Sequence, residues 1–382
     1  MLTSTTDAQW MQRALDLAAH GEGWVEPNPM VGCVLVGSGP HAGLLLGEGF
    51  HQRFGQAHAE LAALANASER GHADKLVGAT AYVTLEPCCH YGKTPPCTHA
   101  LIEARLARVV VAQLDPFAQV SGQGVAQLRR AGIQVEVGLA QAVAQQLNAP
   151  YLKRLNQKRP WIIAKWAMSL DGKIATRSGD SQWISGEVSR AYVQQLRGRV
   201  DAIMVGSRTA LADDPLLTAR TPQPPPRTAL RVVVDSKLQV RLESRLVASI
   251  ADVPLLLACG PEASANKMAE LQRRGCQVIQ STSLVPQTRL DELLQILARD
   301  HLATNVLVEG GGQLLGSLLD AQQIDQCEVF IAPKLIGGLE APGPMAGIGL
   351  EQLIECPAAH SQRIQTCGND VHISLRLNWP NR

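Results

Sequence analysis

The spacing of apolar residues divides the chain into short strands that alternate with amphipathic helices. Residues 7–20 read as a helix. A Gly/Pro-rich loop follows, then an apolar strand at 31–36 and a hairpin-like turn at 37–43. A helix at 58–67, a strand at 79–85, a helix at 98–104, a strand at 108–112 and a helix at 124–131 come next. This alternation predicts an α/β layered domain. The polar, basic stretch 151–160 reads as a linker, with a seam close to Asn148-Ala149-Pro150, so the domains are expected at 1–152 and 153–382. Beyond the seam the pattern restarts with strands at 161–168, 201–205, 231–235, 254–258, 276–279, 305–308 and 326–332. Helices at 187–197 and 290–299 fall between them, and the proline-rich 221–226 reads as a surface loop.

Length agrees with this division: 382 residues suit two domains at roughly 100–200 residues each. Hydrophobic residues at 46% and charged ones at 18% fit packed cores and exclude long disorder. Aromatics are only 4%, so aliphatic and alanine packing must fill those cores. A net charge of +1 gives no footprint for a nucleic-acid or membrane surface. The first ten residues carry no basic side chain and no apolar h-region follows, so a cytoplasmic protein is expected, where thiols stay reduced. Of nine cysteines, Cys33, Cys259, Cys276, Cys327, Cys356 and Cys367 are scattered and read as small packing residues. Cys88, Cys89 and Cys97 instead cluster beside histidines and prolines, which points to metal or catalysis.

The sharpest signal is His58-Ala59-Glu60 followed by Pro87-Cys88-Cys89-His90 and, after Tyr91-Gly92-Lys93-Thr94-Pro95-Pro96, Cys97. One imidazole and two thiolates leave the fourth position of a tetrahedral zinc ion open, which is the catalytic arrangement. A water in such a position has its pKa lowered toward ~7. Glu60 lies two residues past the histidine, where it can reach that water without binding metal and pass its proton to a leaving amine. A histidine, a non-ligand glutamate and a later Pro-Cys…Cys pair follow zinc deaminase logic, with eight residues between the cysteines in place of two. The competing reading is a structural zinc knuckle with Cys89, His90 or His99 as fourth ligand; it leaves Glu60 unexplained.

Pro27-Asn28-Pro29-Met30-Val31-Gly32-Cys33, Gly49-Phe50-His51, Gly55 ahead of His58-Ala59-Glu60, and Thr84-Leu85-Glu86-Pro87-Cys88 with its long loop to Cys97 resemble the deaminase domain of the bacterial bifunctional riboflavin-biosynthesis family. That family joins a pyrimidine deaminase to a reductase. The resemblance implies a cytidine-deaminase-like α/β/α domain, His58, Cys88 and Cys97 as zinc ligands, Glu60 as proton shuttle, and Asn28, His51, His90 and Lys93 as substrate contacts. One loop departs from the family: Asp115-Pro116-Phe117-Ala118 carries Phe117 and Ala118 where an asparagine and a proline are usual.

In the second half no Gly-x-Gly-x-x-Gly follows a strand and opens a helix. Glycines cluster instead at Val308-Glu309-Gly310-Gly311-Gly312-Gln313, after a predicted strand and before a predicted helix at 314–319, where backbone N–H groups can meet a phosphate. Lys165-Trp166-Ala167-Met168-Ser169-Leu170-Asp171-Gly172-Lys173, Gly179-Asp180-Ser181-Gln182-Trp183, Ala212-Asp213-Asp214-Pro215-Leu216-Leu217 and Ile331-Ala332-Pro333-Lys334 resemble the reductase domain of the same family, which is similar to dihydrofolate reductase and uses NADPH. The resemblance implies NADP contacts at Ala167, Trp183, Thr209, Asp213, Ser236, Gly311, Gly312, Gln313, Leu314, Leu315, Gly316 and Ser317. It implies substrate contacts at Ser181, Arg197, Leu217, Arg220 and Glu309. Arg197 and Arg220 suit a ribose phosphate, since guanidinium pairs bidentately with its oxygens.

The expected protein is therefore a two-step enzyme of riboflavin biosynthesis with one zinc ion per deaminase site and NADPH in the other. Its substrates are small phosphorylated pyrimidines, and it binds neither nucleic acid nor membrane; a homo-oligomer is expected. The rivals are a nucleoside or nucleic-acid deaminase with an unrelated second domain, and a zinc-stabilised binding protein without activity.

Overall fold

The computed structural model describes residues 5–90 and 96–380, so the expected substrate contact Lys93 lies outside them. The chain forms two compact units, Met1–Lys158 and Arg159–Arg382. In the first, β1 (Gly32–Val36) pairs antiparallel with β2 (Leu45–Phe50) and β3 (Thr80–Val83). β4 (Arg108–Val111) and β5 (Gln134–Val137) continue the sheet in parallel, in the order β2-β1-β3-β4-β5. The two-residue period of a strand builds the layers. Val34 and Val36 pack with Met11, Ala14 and Leu15 of helix Thr5–Ala19, and Cys33 and Leu35 pack with Ala59, Ala63 and Ala67 of helix Ala59–Glu69.

β2 is invisible in the apolar pattern because Gly47 and Gly49 interrupt it. The structure shows why they stand there. A Cβ at Gly47 would lie 2.4 Å from the Ala63 carbonyl oxygen, and one at Gly49 would lie 2.5 Å from the Ala63 nitrogen. Bare backbone lets helix Ala59–Glu69 sit directly on the strand. Gly49→Val is expected to cost about 1–3 kcal/mol through overpacking and to loosen the helix that begins after His58. Urea titration followed by deamination rate measures this; an unchanged midpoint would show that the helix has room to spare.

The stretch expected as a linker is instead helix Ala149–Gln157. Its charged residues hid an amphipathic face: Tyr151 and Lys153 are buried, and the Asn148 amide exchanges two hydrogen bonds with the Met30 backbone at 2.8 and 2.9 Å. Composition alone could not register these long-range partners.

In the second unit β6 (Trp161–Ser169), β7 (Ala202–Gly206), β8 (Leu230–Val234), β9 (Leu255–Cys259), β10 (Gln277–Gln280), β11 (Asn305–Glu309) and β12 (Gln326–Ala332) run parallel, in the order β10-β9-β8-β7-β11-β6-β12. An antiparallel hairpin of β13 (Ala358–Cys367) and β14 (Asp370–Asn378), absent from the sequence reading, completes the edge beyond β12. Most of the parallel strands are apolar on both faces, as expected where helices cover both. One face packs on Leu290, Leu294, Leu315 and Leu318, the other on Leu196, Leu246 and Leu271. Of the scattered cysteines only Cys356 is exposed; the other five are buried packing residues. Among the described residues no helix is long and apolar enough to cross a membrane.

Candidate active sites

In the first unit His58 is the N-cap of helix Ala59–Glu69 and keeps an extended backbone, while Glu60 stands in the first turn. Cys88 follows β3 by a short loop, and Cys97 opens helix Cys97–Glu103. These elements bring three side chains together. His58 Nδ1 lies 3.5 Å from Cys88 Sγ and 3.4 Å from Cys97 Sγ, and all three donor atoms fall within 4.8 Å of one another. A tetrahedral zinc ion at ~2.3 Å from sulfur and ~2.0 Å from nitrogen sets a nitrogen–sulfur separation of about 3.5 Å. The donor set therefore fits zinc without rearrangement. Among the described residues Cys89, His90 and His99 do not join this group, and the Cys89 thiol approaches the Gln119 carbonyl oxygen at 3.8 Å.

The electrostatics also call for a cation. Hydrogen bonds from Cys97 and His58 draw the Cys88 thiol down to about 4, and in sharing that proton Cys97, itself buried, is pushed well above the ordinary thiol range. Burial raises the Glu60 carboxyl, and the nearby Cys88 charge raises it further. A divalent ion would relieve this crowding of acids.

A cavity of about 390 Å³ opens over these residues and is lined by Asn28, His51, His58, Glu60, Cys88 and His90 among others. His51 Nδ1 is 3.0 Å from the Ala57 carbonyl oxygen, so this nitrogen carries the proton and Nε2 accepts from Asn28 Nδ2 at 3.3 Å. Burial lowers the His51 pKa and keeps the ring neutral. The Asn28 carbonyl oxygen is thereby oriented as an acceptor. His90 Nδ1 is buried with no partner among the described residues, an orphan that a ligand can satisfy.

The loop that departs from the family pattern also reaches this cavity. Asp115 and Phe117 line it together with Tyr151 and Arg154. The Asp115 carboxylate accepts from the Tyr151 hydroxyl at 3.0 Å and from Phe117 N at 2.9 Å, and burial raises its pKa. Sequence reading passed over Asp115 and Tyr151 as site residues; an Asp-Pro pair just past a strand end was the available signal. Glu86 fixes the loop by accepting from Gly122 N at 2.9 Å and Val125 N at 3.1 Å.

In the second unit Arg197, at the end of helix Glu187–Arg197, meets Glu309 at the end of β11 in a bidentate pair of 2.6 and 2.8 Å, with side chains 12% and 11% exposed. Burial works to raise the Glu309 carboxyl, but Arg197 and then Lys165 outweigh it and hold it below the usual range. Arg220 adds a further favourable charge. Lys165 is the group sequence reasoning missed; a lysine inside the apolar strand β6 was the signal. Burial pulls its pKa down while Glu309 pulls it up. Leu217 is buried and holds φ +52° just before Thr218, whose carbonyl accepts from Arg197 at 3.3 Å. Ser181 lies in a short turn, its carbonyl accepting from Ile184 N at 3.2 Å.

The expected cofactor residues follow the carboxyl edge of the sheet. Gly310 and Gly311 adopt φ +63° and +79° between β11 and helix Gly312–Asp320, and a Cβ on Gly311 would lie 3.1 Å from Thr209 Oγ1. This bare cradle beside a helix start, facing a hydroxyl, fits the phosphates of a dinucleotide. Leu314, Leu315 and Gly316 of that helix are buried, whereas Gln313 is exposed and Ser317 accepts from Gln287 at 3.2 Å through its carbonyl. Asp213 ends helix Ser207–Asp213, where burial raises its carboxyl. Trp183 is 63% exposed, with the Arg190 guanidinium 4.8 Å from its ring centre and its carbonyl accepting from Lys334 at 2.6 Å. Ala167 lies in β6 against the Phe330 cluster, and Ser236 follows the end of β8.

Each half of the chain matches a known protein family. Residues 4–113 match the cytidine and deoxycytidylate deaminase zinc-binding region, and residues 160–373 match the RibD C-terminal domain. Riboflavin biosynthesis protein RibD of Escherichia coli K12 is 40% identical over 384 residues, spanning 97% of this chain and 99% of that protein. The chain belongs to the RibD family. RibD of Actinobacillus pleuropneumoniae is 39% identical over 366 residues, spanning 96% of this chain and 94% of that one. A RibD structure from Acinetobacter baumannii aligns with TM-score 0.83 at 34% identity, covering 98% of this chain and 99% of its own. A Thermotoga maritima structure aligns with TM-score 0.79 at 32% identity and the same coverage; it is described as a diaminohydroxyphosphoribosylaminopyrimidine deaminase/5-amino-6-(5-phosphoribosylamino)uracil reductase. As a RibD protein the chain is a bifunctional enzyme of riboflavin biosynthesis, a zinc-dependent deaminase and an NADPH-dependent reductase. Its domains are cytidine-deaminase-like and dihydrofolate-reductase-like.

Proposed function

We propose that the first unit deaminates a diaminopyrimidinone bearing a phosphoribosylamino group, and that the second reduces the ribosyl chain of the resulting uracil to ribityl. The observation that carries this reading is the His58–Cys88–Cys97 triangle with Glu60 buried beside it in one cavity. The Thermotoga maritima relative, described as acting in these two steps, supports the choice of substrate. His58, Cys88 and Cys97 would hold zinc, which would supply the Lewis acidity that activates water. Glu60, buried in the cavity two residues past His58, would take that water's proton and deliver it to the departing amine. Asn28, held by neutral His51, orients the pyrimidine edge, and His90 with Lys93 meets the phosphate.

In the second unit NADPH supplies the hydride. Arg197, Arg220 and Lys165 form the cationic floor around Glu309 where the phosphorylated product settles, with Leu217 and Ser181 beside them. Trp183, Ala167, Thr209, Asp213, Ser236 and the segment 311–317 hold the cofactor along the carboxyl edge, the usual ligand crevice of an open parallel sheet.

Cytoplasmic operation belongs to this reading, supported by the nine free cysteines. Homo-oligomerisation does too, supported by exposed Leu335, Leu339, Ile348 and Leu353. The test is purified protein with the pyrimidine, zinc and NADPH, sized by light scattering and followed by mass spectrometry. Loss of one amine and then gain of two hydrogens is expected, from particles heavier than one chain. Deamination of free cytidine in place of the phosphoribosylamino substrate would overturn the assignment.

A further inference from the structure

Arg289 occupies a position along the carboxyl edge that none of the residues above explains. Past the ends of β8 and β9 the chain stays joined, because Gly260 N donates to the Ser236 carbonyl oxygen at 3.0 Å. Arg289, on the first turns of helix Pro286–Asp300, lies across this junction. Its guanidinium donates to Ser236 Oγ at 3.2 Å and to the carbonyl oxygens of Ser283 and Leu284 at 3.1 and 2.9 Å. Gly260 lies against it: a Cβ there would stand 3.4 Å from the guanidinium carbon, in van der Waals contact. Among the described residues no carboxylate pairs with Arg289, whereas neighbouring Lys237 is matched by Glu262 at 3.7 Å. A half-buried guanidinium, held in place by backbone carbonyls and left without a counter-charge, is organised for an anion.

Its place on the sheet says which anion. In the order β11, β7, β8, β9, the carboxyl ends carry the Glu309 charge cluster with Gly311, then Thr209, then Ser236, then Gly260. A dinucleotide whose reactive ring lies by Glu309 and whose pyrophosphate meets the glycine cradle directs its adenosine half to β8 and β9. NADPH differs from NADH only by a phosphate on that adenosine ribose, and the planar guanidinium fork matches phosphate oxygens. We infer that the Arg289 guanidinium and Ser236 Oγ bind the adenosine ribose phosphate, so that Arg289 sets the preference of the reductase for NADPH over NADH. The inference rests on the cofactor placement proposed above.

Direct binding tests it. Dissociation constants for NADPH, NADH, 2′,5′-ADP and 5′-AMP are measured by fluorescence titration or calorimetry on the full chain, for the parent, Arg289→Leu and Arg289→Lys. Loss of a charge-assisted contact should weaken NADPH and 2′,5′-ADP about tenfold or more in the leucine variant. NADH and 5′-AMP should stay within about twofold of the parent, and lysine should restore part of the loss. Equal weakening of NADPH and NADH, or no change in either, overturns the inference. So does a parent protein that binds 2′,5′-ADP no more tightly than 5′-AMP, a result that needs no variant to fold. A parent that binds none of the four probes would sink the cofactor placement itself, which separates that failure from the failure of Arg289 alone. Parental affinity for 5′-AMP in the leucine variant verifies that its second unit is folded.

Discussion

Glu60→Ala is expected to lower deamination by about 10²–10⁴-fold while zinc content and NADPH oxidation on the deaminated substrate remain at the parental level. Glu60 is 3% exposed and lines the cavity, and it stands in the first turn of the helix that His58 caps. Because it is outside the three-donor group, its removal takes away a proton carrier and leaves the metal ligands intact. Zinc is measured by atomic absorption and ammonia release by a coupled assay. A structural zinc site would keep any function after this change, so a variant that deaminates as fast as the parent would end the proposed mechanism. Glu60→Gln should be equally slow, since an amide of the same shape cannot carry the proton.

Arg197→Met should have the other large effect. Arg197 and Glu309 are both close to nine-tenths covered, and removing one partner leaves the other's charge enclosed. Breaking such a pair costs about 3–5 kcal/mol, read as a lower urea midpoint for loss of reductase activity. Reduction should fall at least 10²-fold if Arg197 also meets substrate phosphate, with deamination untouched. The double variant Arg197→Met with Glu309→Met separates the two roles. Apolar replacement of both should restore much of the stability and none of the reduction. Recovery of activity in the double variant would show that the pair serves folding alone.

Legibility differed between the two halves. In the first, His58, Glu60, Cys88 and Cys97 were readable because zinc chemistry demands few residue types and short motifs at helix starts and strand ends. Asp115, Tyr151 and Arg154 were not, since their place on the cavity wall depends on helix Ala149–Gln157 folding back onto the unit. In the second, the glycine cluster after β11 signalled a phosphate cradle, but nothing local connects Gly311 to Thr209 or Ser236 to Arg289. β2 and the β13–β14 hairpin escaped for a related reason: glycines chosen for close helix approach, or the polar side chains of an outer hairpin, erase the apolar alternation that marks a strand.

Sequence by itself determined the α/β class, the two-part organisation, the grouping of His58, Cys88 and Cys97 with Glu60 in one cavity, and the family that those motifs resemble. These are properties of residue type and short spacing, and local chemistry is enough to read them. Tertiary structure decided that the polar stretch after Pro150 is a packed helix, that Asp115 and Phe117 wall the deaminase cavity, and that Lys165 joins the Arg197–Glu309 pair. It also decided that Arg289 lies beside Ser236 with no carboxylate partner among the described residues. Each of these depends on contacts between residues far apart in the chain, set by which strands neighbour one another and which helix covers them, and no local pattern encodes that adjacency.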